Sequence, residues 1–166
     1  MDSYIVDYLN SGKAWVLIGS GPSIEMGYPT WHQLAELALQ LVKSEASATS
    51  YKIANAALQR GDFPLVFQES FESISAQRTL AHLRASLQSS RSARIYRLLA
   101  KWPIPVYLTT NFDNEIPNQL AEIGESYITY SNSRDHINLL SQDFSGAIFK
   151  LHGDLSSETG LILTSS

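Results

Sequence analysis

The sequence predicts an α/β fold built on a parallel sheet, and two observations carry that reading. Short, wholly apolar runs recur along the chain and stop at glycine or small polar residues, and amphipathic helical stretches separate them. Strands that alternate with helices are joined by crossovers, which makes the sheet parallel and places ligands at the carboxyl ends of its strands. The chain has 166 residues, 44% of them hydrophobic and 17% charged, enough for one buried core and short for two domains. One unit spanning 1–166 is expected.

The first element is Ala14-Trp15-Val16-Leu17-Ile18, a continuous apolar run stopped by Gly19-Ser20-Gly21-Pro22-Ser23, the pattern of a buried parallel strand entering a tight turn. A helix follows from about Trp31 to Lys43, with Thr30 as N-cap and Leu34, Leu37 and Leu41 on one face. Between about 44 and 101 there is no strand signal. Ser44–Ser50 reads as a loop, and helices are predicted at roughly 51–59, 62–73, 76–88 (Leu80, Leu83 and Leu87 in register) and 92–101 (Ile95, Leu98 and Leu99), a helical insertion. Strand signals return at Pro105–Thr109, Tyr127–Tyr130 and Ala147–Leu151, more weakly at Leu161–Thr164, with helix-like stretches near 114–123 and 135–142. After so large an insertion, too little chain remains for a six-stranded doubly wound sheet, so the pattern reads as the front part of a domain, incomplete at its C-terminal side.

Composition narrows the function classes. No run of about 18 apolar residues occurs, and MDSYIVDYLNSGK lacks the basic start and apolar stretch of a signal peptide, so the expectation is a cytoplasmic protein without a membrane span. With no cysteine there can be no disulfide, thiolate nucleophile or cysteine-ligated zinc, and four scattered histidines do not form a metal set. A net charge of -4 argues against direct nucleic-acid binding. The charge is uneven: residues 73–112 carry 6 Lys/Arg and 0 Asp/Glu, with Arg78, Arg84, Arg91, Arg94, Arg97 and Lys101 read as the solvated face of two helices. His32, His82 and His136 read as surface or capping residues, and Met26, Trp31 and Trp102 as core or loop packing.

Three loops that follow predicted strands hold the chemistry. Gly19 to Trp31 (GSGPSIEMGYPTW) lets a backbone without side chains approach a diphosphate at a helix start. It is not the dehydrogenase fingerprint, which needs glycine at Ile24, and Gly12-Lys13-Ala14 is not a P-loop. No G-x-S-x-G nucleophile elbow occurs. Thr109-Thr110-Asn111-Phe112-Asp113 reads by itself as an Asx-type turn, with Asp113 or Asn111 capping the next helix. Lys150-Leu151-His152-Gly153-Asp154 places the one side chain that titrates near neutrality at a strand end, with Lys150 and Asp154 as scaffold.

Together the loops resemble the sirtuin-like NAD-binding family, whose members carry a glycine-rich G-x-G-x-S loop with a downstream G-x-P, then a T-x-N-x-D segment, then a histidine followed by glycine. The matches are Gly19, Gly21, Ser23, Gly27 and Pro29; Thr109, Asn111 and Asp113; and His152 with Gly153. The variants Tyr28-Pro29-Thr30-Trp31 and Thr110-Asn111-Phe112-Asp113, and the missing four-cysteine zinc module, are similar to the bacterial antiphage-defence branch rather than the protein-deacylating one.

The resemblance implies a Rossmann-like NAD-binding fold and an NAD+ glycohydrolase that releases nicotinamide and ADP-ribose, with NAD as substrate and no metal. It implies that Gly19, Ser20, Gly21, Ser23 and Thr109 bind the dinucleotide, that Asn111 meets the nicotinamide side or the attacking water, that Asp113 orients the ribose or stabilises positive charge, and that His152 is the general base. Because such an activity must be restrained, it implies a homo-oligomer or a regulatory partner. A catalytically inactive module binding NAD or ADP-ribose is the alternative, and a deacylase is a more distant one.

Overall fold

A computed structural model describes residues 3–87, 94–131, 145–155 and 163. The elements are α1 (Ser3–Asn10), β1 (Trp15–Ile18), α2 (Gly21–Glu25), α3 (Trp31–Glu45), α4 (Ala48–Gln59), α5 (Phe63–Ser73), α6 (Ala76–Ser86), α7 (Arg94–Leu99), β2 (Val106–Thr109), α8 (Glu115–Glu122), β3 (Ile128–Ser131) and β4 (Ala147–Lys150). The sheet has four strands in the order β1-β2-β4-β3, every neighbouring pair parallel, so the fold is α/β and Rossmann-like as expected. The predicted helix at 135–142, Arg91 and His136 lie outside the described residues, as does the 161–164 strand except for the buried Leu163.

Register is what positions the site. Ile18 pairs with Thr109, Thr109 with Lys150 and Lys150 with Ser131, so these strands finish at one level. Gly19, Thr110 and Leu151 therefore leave the same edge of the sheet side by side. Alternation along each strand divides the side chains between two faces. Ile18, Tyr107 and Ile148 turn to one face and pack with Tyr96 and Ala100 near α7 and with Ile116 and Leu120 of α8, while Val106, Ala147 and Phe149 form a smaller cluster.

Helices α3 to α6 form a separate layer around Leu34, Ala38, Val42, Val66, Phe67, Leu80 and Leu83, joined by Phe112 and Leu155 from the strand-end loops. Helix α7, expected to continue that layer, instead packs against the sheet, because Tyr96 and Ala100 meet Ile104 and Tyr107. Helix α3 opens on a capping box: Thr30 accepts from the Gln33 N–H at 3.2 Å and the Gln33 side chain accepts from the Thr30 N–H at 2.8 Å.

Three local expectations are corrected. Ser44–Ser50 is not one loop, since α3 runs to Glu45 and Ser47 accepts from the Ser50 N–H at 3.1 Å, a serine N-cap that starts α4. Helices α1 and α2 have no counterpart in the sequence reading; α1 buries no residue, and α2 is a single turn made inside the glycine loop. Strand β1, expected to be buried, is an edge strand that leaves Trp15 and Leu17 exposed on one face. Met26 is buried, the half-buried Trp31 packs on Phe67 and Phe112, and Trp102 lies exposed in the loop after α7. Among the basic residues, Arg78 pairs with Glu45 at 2.7 Å, and Arg84 Nε donates to the Leu155 carbonyl.

The helical layer depends on its central ring. Phe67→Ala is expected to lose about 3–5 kcal/mol in urea unfolding, from lost burial and the cavity left behind. Ile53→Ser, at a 42% exposed position of α4, is expected to change stability by no more than about 0.5 kcal/mol.

Candidate active site

Thr109 closes the seam between the first two loops. Its hydroxyl donates to the Ile18 carbonyl and accepts from the Asn111 N–H, both at 3.1 Å. The Leu151 N–H donates to the Thr109 carbonyl at 2.7 Å, joining the third loop. Thr109 is thus buried and bonded inward. It shapes the loop and presents no donor to the cleft.

Asn111 is the centre of the polar network. Its Nδ2 lies 2.8 Å from the Gly19 carbonyl, 2.9 Å from Ser23 Oγ and 3.2 Å from the Tyr96 hydroxyl. A carbonyl can only accept, so the bond to Gly19 settles which way the amide faces and leaves Oδ1 outside these bonds. Ser23 Oγ donates to Asp113 Oδ2 at 2.7 Å, and Asp113 Oδ1 accepts from the Glu115 N–H at 3.1 Å. The latter is the Asx turn that the sequence suggested. The N-cap position itself belongs to Asn114, one residue later than expected, which makes no side-chain cap bond.

Lys150 holds this loop from below. The side chain is 1% exposed, and its Nζ donates to the Phe112 carbonyl at 3.0 Å, to Asn114 Oδ1 at 2.7 Å and to Asp154 Oδ2 at 2.7 Å. An ammonium has three hydrogens, and here each has an acceptor. Lys150 and Asp154 are scaffold, as the sequence reading proposed. Beside them Tyr28 donates to Glu115 Oε1 at 2.6 Å; burial first, and then Glu115, push the phenol pKa far above its usual value, so it stays a donor.

His152 follows β4 and stands edge-on to Trp31, with ring centroids 5.4 Å apart, and 6.4 Å from the Phe112 ring. Trp31 and Phe112 line a cavity of about 30 Å³ together with Ser23, Asn111 and Asp113. That is room for about one water molecule. His152 is not itself in the cavity wall, but its ring meets Trp31 and Phe112, which are. Burial lowers its pKa below the ordinary 6.5, a contact with the Thr110 backbone acting less strongly in the opposite direction, and its Nδ1 has no hydrogen-bond partner among the described residues. The imidazole is therefore neutral and able to accept a proton at neutral pH.

Gly19 and Gly21 are exposed, neither has a positive φ, and a Cβ built at either would meet no protein atom within 4 Å. The protein's own packing gives no reason for glycine at these two positions. Gly27 differs, with φ 87° in the left-handed region that favours glycine. A larger cavity of about 440 Å³ lies at the amino ends of the strands, lined by Gly12, Trp102, Pro105 and Tyr127, but its charged groups Lys101 and Glu125 are exposed and none of the three loops reaches it.

The chain is similar to two NAD(+) hydrolases. One is the NAD(+) hydrolase ThsA of Cytobacillus dafuensis, 26% identical over 156 residues that cover 93% of this chain and 29% of that protein. The other is the NAD(+) hydrolase ThsA of Enterococcus faecium, 23% identical over 170 residues that cover 94% of this chain and 31% of that protein. The chain spans less than a third of the length of these curated relatives. No family model matches it.

The structure brings Gly19, Ser20, Ser23, Thr109, Asn111 and Asp113 to one corner, with Gly21 opening α2 beside them and His152 against the Trp31 ring, outside the cavity wall. Sequence reasoning missed Tyr96, which lies on a helix remote from every loop, and the number of bonds Lys150 makes. A lysine ending an otherwise apolar strand, Ala147-Ile148-Phe149-Lys150, was the available signal for the second. Among the described residues no group of three His, Asp or Glu is placed to hold a metal, and no helix is long and apolar enough to cross a membrane.

Two outcomes test this geometry. Lys150→Met is expected to destabilise the chain by about 3 kcal/mol in urea unfolding, because the buried Phe112 carbonyl and the half-buried Asp154 carboxylate lose their donor, and Lys150→Met combined with Asp154→Leu should recover part of the loss. For His152 the folded pKa lies below 6.5, so the folded state binds fewer protons than the unfolded state in that window. Its contribution to stability is complete above pH 6.5 and is lost as pH falls toward the folded value. The stability difference between parent and His152→Gln should therefore shrink between pH 7 and pH 5, and the His152 ring protons should titrate below 6.5 by NMR.

Proposed function

We propose that residues 1–166 form a sirtuin-like NAD-binding domain with a helical insertion, and that it hydrolyses NAD+ to nicotinamide and ADP-ribose. The observation that carries this reading is the bond from Asn111 to the Gly19 carbonyl, made beside two glycines that the protein's own packing does not require. An open glycine backbone at the carboxyl end of a parallel sheet is suited to a diphosphate. The similarity to two NAD(+) hydrolases supports the same substrate.

In this reading Gly19, Ser20 and Gly21 carry the diphosphate through their backbone, while Ser23 and Thr109, whose hydroxyls are bonded inward, shape the loops. On this proposal the water-sized cavity takes the nucleophile and the dinucleotide lies over its mouth. Water attacks C1′ of the nicotinamide ribose and the C1′–N bond breaks. Its electron pair passes to the pyridinium nitrogen, giving neutral nicotinamide, and the water proton passes to His152. Positive charge builds on the sugar during this step. Asp113 supplies a carboxylate to face it, and Asn111 Oδ1 positions the ring or the water. His152, outside the cavity wall, must draw closer to reach that water, in keeping with catalytic contacts that tighten only when substrate is bound.

Prokaryotic antiphage defence by NAD depletion in the cytoplasm, restrained by self-association or a regulatory partner, completes the reading. A module that binds NAD or ADP-ribose without turning it over is the second reading, favoured by the separation between His152 and the cavity wall.

Incubation with NAD+ and chromatography of nicotinamide separates the two. Asn111→Ala and His152→Ala are each expected to lower release at least about 100-fold in chains that remain folded by circular dichroism. Gly21→Ala, at the first residue of α2, should leave stability unchanged or raise it by up to about 1 kcal/mol while weakening NAD binding, because a methyl group occupies the space the protein leaves open. Release at the parent rate in His152→Ala would sink the catalytic assignment. Calorimetric binding of ADP-ribose with no nicotinamide release would establish the second reading.

A further inference from the structure

Tyr96 is 1% exposed on α7, belongs to none of the three strand-end loops, and is absent from the wall of the cavity beside Asn111. Its hydroxyl nevertheless lies 2.9 Å from Ser23 Oγ and 3.2 Å from Asn111 Nδ2, in the middle of the network. Counting hydrogens assigns the direction of every bond. Asp113 accepts at Oδ2, so the single Ser23 hydrogen goes there at 2.7 Å. Ser23 Oγ can then only accept from Tyr96, which makes the phenol the donor in that pair. One Asn111 amide hydrogen goes to the Gly19 carbonyl, and the other is shared between Ser23 Oγ and the Tyr96 oxygen. The network runs one way, from the Asn111 amide through Tyr96 and Ser23 to the Asp113 carboxylate.

We infer that Tyr96 is a positioning residue for the active site: its hydroxyl, buried behind the cleft, sets the orientation of both Asn111 and Asp113 through Ser23 without touching substrate. A phenol suits this task because it both donates and accepts at one atom, and because a rigid ring anchored in the core between α7, β2 and α8 allows that atom little movement. Burial, followed by the charge of Asp113, pushes its pKa up to about 12, so it keeps its proton throughout the working range. The inference rests on the NAD-hydrolysing reading for its kinetic consequence, but the hydrogen-bond direction stands on geometry alone.

Tyr96→Phe keeps the ring and removes one oxygen. Nicotinamide release is measured as kcat and KM, alongside the thermal midpoint and the side-chain amide resonances of Asn111 in ¹⁵N-labelled chain. The expected result is a fall in kcat of about 10-fold or more with KM within about twofold, a folded protein, and Asn111 amide protons that shift and exchange faster with solvent. Parent kcat in Tyr96→Phe, or an equal change carried by KM, would overturn the inference. If the parent chain releases no nicotinamide, the glycohydrolase reading fails by itself and the amide resonances decide Tyr96: unchanged shifts and exchange in Tyr96→Phe refute the positioning role, and altered ones support it.

Discussion

A buried ammonium has to find an acceptor for each of its hydrogens, and in this protein Lys150 finds them on two loops at once. The Phe112 carbonyl and Asn114 side chain come from the loop after β2, and Asp154 comes from the loop after β4. Removing such a charge from water costs several kcal/mol, which only close, complete bonding offsets. The geometry of the Asn111–Asn114 turn is consequently coupled to the end of β4. Asn111 and Asp113, one on each side of Phe112, are oriented by the same constraint.

Above that tie, the polar groups are saturated inward and open outward. Ser23, Thr109 and the Asn111 amide nitrogen all find partners within the protein, while Gly19, Ser20 and Gly21 are exposed around them. Prearranged donors and acceptors need no reorganisation when a charge develops beside them, which is the condition under which fixed dipoles are most effective. The apolar side is built from Trp31 and Phe112, which also join the helical layer, so the α3–α6 bundle braces the cleft from the side opposite the sheet.

Much of this was legible in the chain order of residue types. Apolar runs ending in glycine or small polar residues located β1, β2 and β4 to within a residue. Strands β2 and β4, covered on both faces, have no polar position to blur their ends, whereas β1 is an edge strand that is apolar throughout although Trp15 and Leu17 are exposed. Helices α3 and α6 followed from leucine spacing and α3 also from its cap Thr30, while the Asp62 cap that starts α5 was not read from the sequence. Helix α1 was not read from the sequence; it is short, and of its apolar residues only Leu9 packs against the core while Tyr4, Ile5, Val6 and Tyr8 stay exposed. Within the site, the three loops could be chosen from the sequence, and the Asx turn at Asp113 with them.

What the sequence determined by itself was local: where strands end, which turns contain glycine, and which side chains could do acid-base work. Whether those ends meet was decided by register, since a shift of one residue between β1 and β2 would carry Thr109 away from Ile18 and Asn111 away from Gly19. The inward use of Ser23 and Thr109, the three bonds of Lys150 and the presence of Tyr96 all depend on groups separated by many residues. Their partners are set by distance in space, and hydrogen-bond direction is set by which neighbour can only accept. Neither quantity exists until the chain is folded.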